Sequence, residues 1–561
     1  MALPEARLRW RPSERQVAAG LIALLCLVLV LIIALPLWTL LSKSVENTDG
    51  RFVGLANFAL YVSTPTLVSS LFNSVWVAAL STAIVVPLAF AYAYAIQRSC
   101  IPAKGLFYGA ALLPIFAPSL LSALSLVYIF GNQGFLRGAL AGASIYGPVG
   151  IVVAEVLYSF PHALLILVTA LAMSDGRLYE AADALGTSRA RVLRTITLPG
   201  ARYGLISAAF VVFTIVITDF GIPKVIGGQF SVLATDAYKQ VVGQQNFPMG
   251  AVVGIILLVP AVIAFFVDRV VQRRQVALLS ARATPYTPRP RRSRDLLLGL
   301  YALTVGGVIV ATYGVAVWAS FIRYWPYNLS LTLNNYAFGN VEPSGWEPYV
   351  NSLQLAALTA LIGTSLVFCG SYLIEKQKAA PLGRALAQFL AMLPMAVPGL
   401  VLGLGYVFFF NARWNPLNVF YGTLLVLVVN TIAHFYTVAH ITATTSLKQI
   451  DPEFEAVSAS LRVPFWRTFS RVTAPICMPA ILDIAVYMFV NALTTVSAVI
   501  FLYGADTKLA SIAIVHMDEA GAIASAAAMA TVVLLTAIGV KLAHIGLNRF
   551  VFGRLQTWRL R

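Results

Sequence analysis

Long apolar runs alternate with short polar stretches along the whole chain. A helix needs about 20 apolar residues to cross a bilayer core. Runs of that kind fall near 17–41, 67–96, 105–130, 146–173, 205–226 and 249–271, then near 296–322, 350–374, 385–410, 417–445, 480–502 and 522–547. The pattern predicts an all-α polytopic membrane protein with about twelve spanning helices. The first run is too long for the apolar core of a signal peptide and no small-residue cleavage pattern follows it, so it reads as a retained helix. Pro114 and Pro118 in the third run, and Pro394 and Pro398 in the ninth, predict kinks or breaks, because proline lacks a backbone donor and clashes with the preceding turn.

Composition agrees with this reading, since 59% hydrophobic and 11% charged residues exceed the apolar share of a water-soluble core. The net charge of +17 adds an orientation. Arg7, Arg9, Arg11 and Arg15 precede the first run; Arg98 and Lys104 follow the second; Arg177, Arg189, Arg191 and Arg194 follow the fourth. The stretch QRRQVALLSARATPYTPRPRRSRD follows the sixth, and Arg554, Arg559 and Arg561 close the chain. All fall on one face if both termini are cytoplasmic, as the retention of basic residues inside requires. The charge therefore marks topology and contact with anionic lipid rather than a nucleic-acid partner. Cys26, Cys100, Cys369 and Cys477 lie far apart without metal-like spacing and read as packing residues.

The chain also repeats itself. Asn57 and Asn73 recur as Asn335 and Asn351, and NSVWVAALSTA recurs as NSLQLAALTAL. LPIFAPSLL recurs as LPMAVPGLV, and Asp175, Leu185, Arg191, Thr197 and Pro199 recur as Asp451, Leu461, Arg467, Thr473 and Pro475. The offset stays between 276 and 280, which predicts two tandem six-helix halves of the same orientation. They are 1–271 and 296–561, joined by the basic, proline-rich linker 272–295.

Between the fourth and fifth runs lies EAADALGTSRARVLRTITLP, from Glu180 to Pro199. Leu178, Leu185, Val192 and Ile196 stand near helical spacing, as do Phe454, Leu461, Phe465, Phe469 and Val472 in the second copy. Each copy predicts a short amphipathic helical unit. Ala181 and Ala182 permit close approach of another surface, Gly186 permits a sharp turn, and Pro199 marks entry to the next span. Such a unit either lies on lipid headgroups or docks a cytoplasmic protein. Retention of Arg191, Thr197 and Pro199 in register in both halves favours docking.

On Glu180, Ala181, Ala182, Gly186 and Pro199 the segment resembles the EAA loop of ABC-importer permeases, which couples the membrane subunit to a nucleotide-binding subunit. The second copy, DPEFEAVSASLRVPFWRTFSRVTAP, resembles a degenerate form: Ala456 stands for the glutamate with Glu455 adjacent, Val457 and Ser458 for the alanines, and Arg462 for the glycine. The resemblance implies a type I importer permease with both halves fused. It assigns coupling to Glu180, Ala181, Ala182, Gly186, Arg191 and Pro199, and to Glu455, Leu461, Arg467 and Pro475. No GxxxxGK[ST] phosphate loop is present. The expected partners are therefore separate ATPase subunits, two copies, which carry ATP and Mg, and an extracytoplasmic solute-binding protein; no cofactor is expected on this chain.

Polar residues within apolar runs are the candidates for the translocation path: Asn73, Glu155, Asp219 and Asn351. For Asn73 and Asn351 a helix-to-helix hydrogen bond is the competing role; for Asp219 it is seating the binding protein. His162, His434 and His440 lack a second ligand at metal-binding spacing and read as structural. The stretches from Thr218 and from Thr494 resemble segments of fused 2-aminoethylphosphonate permeases, which are related to ferric iron permeases, and 2-aminoethylphosphonate is the expected solute. Lys224 is a candidate contact for a phosphonate group. Ferric iron is the alternative, with ligands supplied mainly by the binding protein. A twelve-helix secondary transporter would have no reason to hold paired loops of this kind, and no nucleophile–base pair or carboxylate cluster suggests an enzyme.

Overall fold

A computed structural model describes residues 13–277, 284 and 286–549. Arg7, Arg9 and Arg11, Arg554, Arg559 and Arg561, and linker residues 278–283 and 285 lie outside the described residues.

Among the described residues, 9 helices are long and apolar enough to cross a membrane, and three bent helix pairs bring the total to 12. Two of the bends are where the proline pairs predict them. The third span runs Lys104–Phe116, turns by 102° and continues as Ser119–Phe130; the ninth runs Pro381–Ala396, turns by 115° and continues as Gly399–Phe410. The cause is local. A residue before proline is pushed out of the helical region, and Ala117 (ψ 145°) and Val397 (ψ 115°) are extended, each followed by a proline at ψ near 140°.

The fifth and eleventh spans depart from the expected limits. The fifth, Arg189–Thr218, stops short of 226 because the Asp219 carboxylate accepts the Ile222 amide at 2.7 Å and starts a separate short helix, Gly221–Ile226. The eleventh bends by 77° between Phe465–Ile476 and Met478–Thr494 and leaves the helix at Thr495. The linker is likewise shorter than its sequence limits, because the sixth span extends as Phe247–Ala277 and the seventh begins at Arg292.

The two halves interlock. The first span, Glu14–Ser44, packs on the eighth and ninth spans of the other half, and the seventh, Arg292–Ser320, packs reciprocally on the second and third. Bilayer lipid offers helices little hydrophobic drive to associate, so close backbone approach and polar contacts hold such crossings. Gly405 lies against the backbone of Pro36, and Gly370 against Leu25. Pro36 cannot donate to the carbonyl of Ile32 one turn before it; Tyr406 of the other half donates its hydroxyl there instead, at 2.6 Å. On the reciprocal side Tyr301 donates to the Leu88 carbonyl at 2.8 Å, and the Ser122 and Tyr313 hydroxyls meet at 2.5 Å.

Candidate coupling loops and translocation path

Each half sends a short helix and a tight turn out between its fourth and fifth spans. In the first half this is Gly176–Ala184, capped by Asp175, whose carboxylate accepts the Arg177 amide at 3.1 Å and pairs with the Arg177 guanidinium at 2.6 Å. Those bonds, the side-chain one foremost, hold the Asp175 carboxyl below the usual carboxylate range. The helix ends in a paired C-terminal turn: Thr187 donates to Ala182 and Gly186 to Asp183, with Gly186 at φ +63°. The second half repeats the turn bond for bond. Glu453–Ser460 ends with Val463 donating to Ser458 and Arg462 to Ala459. Arg462, in the glycine's place, adopts φ +52°, a conformation that costs a non-glycine residue about 1 kcal/mol or more.

Both loops then enter a span through a widened turn, Leu193–Thr197 and Phe469–Thr473. Each lies just ahead of a proline, Pro199 or Pro475, whose missing donor disfavours an ordinary turn there. The loops present bare apolar side chains. Leu178 and Leu185 are 56% and 82% exposed in the first, and Phe454, Val457 and Leu461 are exposed in the second. Glu180, Ala181, Arg191 and Pro199 are exposed, as are Arg467 and Pro475, whereas Ala182 is buried and Glu455 half-buried.

One pair of anchors escaped the sequence reading, although the repeat offset of 278 marks it. Arg98 ends the second span and Lys376 ends the eighth. Arg98 donates to the Leu171 carbonyl at 2.8 Å and lies over the Tyr179 ring of the first coupling helix, 4.8 Å from its centre. Lys376 reaches the Ile450 carbonyl at 3.4 Å and pairs with Glu455 of the second coupling helix at 3.0 Å. A cation at the foot of a span thus holds each loop, through an aromatic face in one half and a carboxylate in the other.

The path candidates separate by environment. Asn73 donates to the Ser231 carbonyl at 2.9 Å, and Asn351 to those of Asp506 and Lys508 at 2.9 and 3.1 Å. Their neighbours Ser74 and Ser352 accept the amides of Leu233 and Ala510, both at 2.8 Å. The two asparagine–serine pairs pin equivalent loops beyond the fifth and eleventh spans. Glu155 is fully buried in the fourth span, and neither carboxylate oxygen has a hydrogen-bond partner. It lies within electrostatic range of Asp219, whose carboxylate accepts the Ile222 amide at 2.7 Å. At the offset of 276 the second half has Thr431 and Thr495 instead, so this acidic pair is confined to one half. Lys224 bonds Glu519 of the other half at 2.5 Å and lies over Tyr238. His440 bonds Ser371 and Gln388, and no group of three metal-ligating side chains occurs among the described residues.

A family model described as the binding-protein-dependent transport system inner membrane component matches residues 48–276. A provisionally named ferric transport system permease protein of Haemophilus influenzae is 29% identical over 459 residues, covering 79% of this chain and 71% of the relative. A provisionally named ferric transport system permease-like protein of Escherichia coli K12 is 36% identical over 111 residues, 20% of this chain and 89% of the relative. A provisionally named 2-aminoethylphosphonate transport system permease protein of Salmonella paratyphi A is 24% identical, covering 44% of this chain and 89% of the relative. Fold and loops together define a multi-pass membrane transport subunit. The chain belongs to the inner-membrane permeases of binding-protein-dependent ABC importers.

Proposed function

We propose that this permease passes ferric iron inward, released to it by an extracytoplasmic binding protein, and that two separate ATPase subunits drive it, one seated on each coupling loop with ATP and Mg on the ATPase. The observation that carries the drive mechanism is the bond-for-bond repetition of the exit turn, Gly186 in one loop and Arg462 in the other. Closure of an ATPase pair would press both coupling helices toward each other. The widened turns at 193–197 and 469–473 join that motion to the fifth and eleventh spans, whose far ends lie at Asp219 and Thr495. Two observations favour iron as the solute. The relative named for ferric transport aligns across both halves, and the buried carboxyls Glu155 and Asp219 offer the oxygen ligands that a hard cation prefers.

A second solute, 2-aminoethylphosphonate, is favoured by the relative named for its transport, which aligns over 89% of its own length. A strain lacking this chain separates the two. Loss of growth under iron limitation alone, restored by the gene, supports iron. Loss only with 2-aminoethylphosphonate as sole phosphorus source transfers the assignment to the phosphonate, and no defect in either condition rejects both solutes.

A further inference from the structure

The described linker residues lie on the first coupling loop. Thr284 accepts the Gly176 amide through its carbonyl at 2.8 Å and donates its hydroxyl to Asp175 at 3.3 Å. Tyr286 packs on Tyr179 with ring centres 4.7 Å apart, and Arg98 lies 4.4 Å from the Tyr286 ring centre. Further along, the Pro288 carbonyl accepts from the Cys100 thiol, and Arg294 donates to the Arg289 carbonyl at 2.7 Å. Between this strap and the loop lies a cavity of about 490 Å³.

Five arginines line the cavity: Arg98, Arg189, Arg289, Arg291 and Arg294. Glu180 and Asp183 are the acids among its described lining residues. Arg98 is 3% exposed, and its Nε has no hydrogen-bond partner. Arg294 is already paired with Asp295, but Arg189, Arg289 and Arg291 are exposed and form no salt bridge among the described residues. The hollow at the second loop lies on a different face of its short helix, lined by Phe454, Val457, Leu461 and Val463 with Asp451, Glu453, Arg467 and Arg471. The counterparts there of Arg98 and Tyr179, Lys376 and Glu455, are paired with each other at 3.0 Å. An excess of guanidinium groups around one buried, underused donor is the chemistry of a tetrahedral oxyanion site. The cavity also lies at the feet of the second and seventh spans, where Arg98 ends one and Arg294 stands in the first turn of the other, and basic residues flanking span ends attract anionic lipid headgroups.

We propose that this cup binds a phosphate group, carried on an anionic lipid headgroup, and that the bound phosphate ties the linker to the first coupling loop. The two loops would then differ in stiffness, the first being clamped by lipid and the second held only by its Lys376–Glu455 pair.

The test uses the purified permease with its ATPase subunits and a titration with short-chain phosphatidylglycerol, followed by native mass spectrometry. Arg289→Gln/Arg291→Gln removes two exposed cations, and Lys378→Gln, in the second half, is the control. Two arginines near an anionic surface correspond to about a 25-fold loss of affinity. That loss in the double variant, with the control unchanged and phosphatidylcholine not bound, supports the cup. If inorganic phosphate binds with the same dependence on Arg289 and Arg291 and displaces the lipid, phosphate recognition stands and the source is the free anion. Equal binding by the double variant and the unaltered chain, or no binding of either probe, overturns it. Equal melting temperatures of the variants in phosphatidylcholine establish that folding is not the cause.

Discussion

At the scale of single residues, one residue identity in a shared conformation separates the two loops. Gly186 and Arg462 both stand in the left-handed region at the end of a coupling helix, and only glycine does so without strain. Arg462→Gly should stabilise the second turn by about 1 kcal/mol, seen as roughly fivefold slower hydrogen exchange at the Val463 amide; unchanged or faster exchange would contradict it. Gly186→Leu should do the reverse at Thr187. The Asp175 cap has a pH signature. Its folded-state acidity is raised by Arg177, so its stabilising contribution is present above the ordinary carboxylate range and is lost only as pH falls through a still lower folded value. Proteolytic resistance of the first loop should therefore fall only below the ordinary carboxylate range, and Asp175→Asn, with no carboxylate to titrate, should be less resistant at neutral pH and lack that acid fall. The glycine and the aspartate were both legible in the sequence, because cap and turn chemistry is local. The matching conformation of Arg462 was not, since an arginine carries no mark of positive φ.

Among elements, proline explains most departures from straight helices. Pro118 and Pro398 break their spans through the residue before them, and Pro199 and Pro475 each follow a widened turn. Pro199→Ala permits an ordinary helical turn and would rotate the coupling helix against the fifth span. ATP-driven uptake should fall severalfold while the level of folded protein in the membrane stays the same; unimpaired uptake would show that the widened turn is not needed for coupling. The third and ninth breaks followed from the proline spacing. The ends of the fifth and eleventh spans did not, because the apolar run continues past Asp219 and Thr495 and hydropathy does not register a carboxylate that caps the next turn.

Across the whole molecule, the internal offset announced two halves, but not how they hold together. A hydrophobic run shows that a helix is buried without naming its neighbour, so the exchange of first and seventh spans between halves, the Tyr406–Ile32 bond and the Lys224–Glu519 pair had no signal in the sequence. Tyr406→Phe leaves the Ile32 carbonyl unsatisfied and should cost about 1–3 kcal/mol in unfolding measured in detergent. Loss of nothing measurable would mean another donor replaces it. The same interlock predicts that the halves, co-expressed as separate chains divided within the linker, still purify together, and their separation would refute it.

The central claim is that one chain carries two unequal seats for an ATPase. Native mass spectrometry of the chain purified with its ATPase tests it directly, alongside Gly186→Trp. The account predicts two ATPase subunits per chain, reduced in the variant because a bulky residue at positive φ deforms the first seat. A chain that binds one subunit or none before any substitution would contradict it.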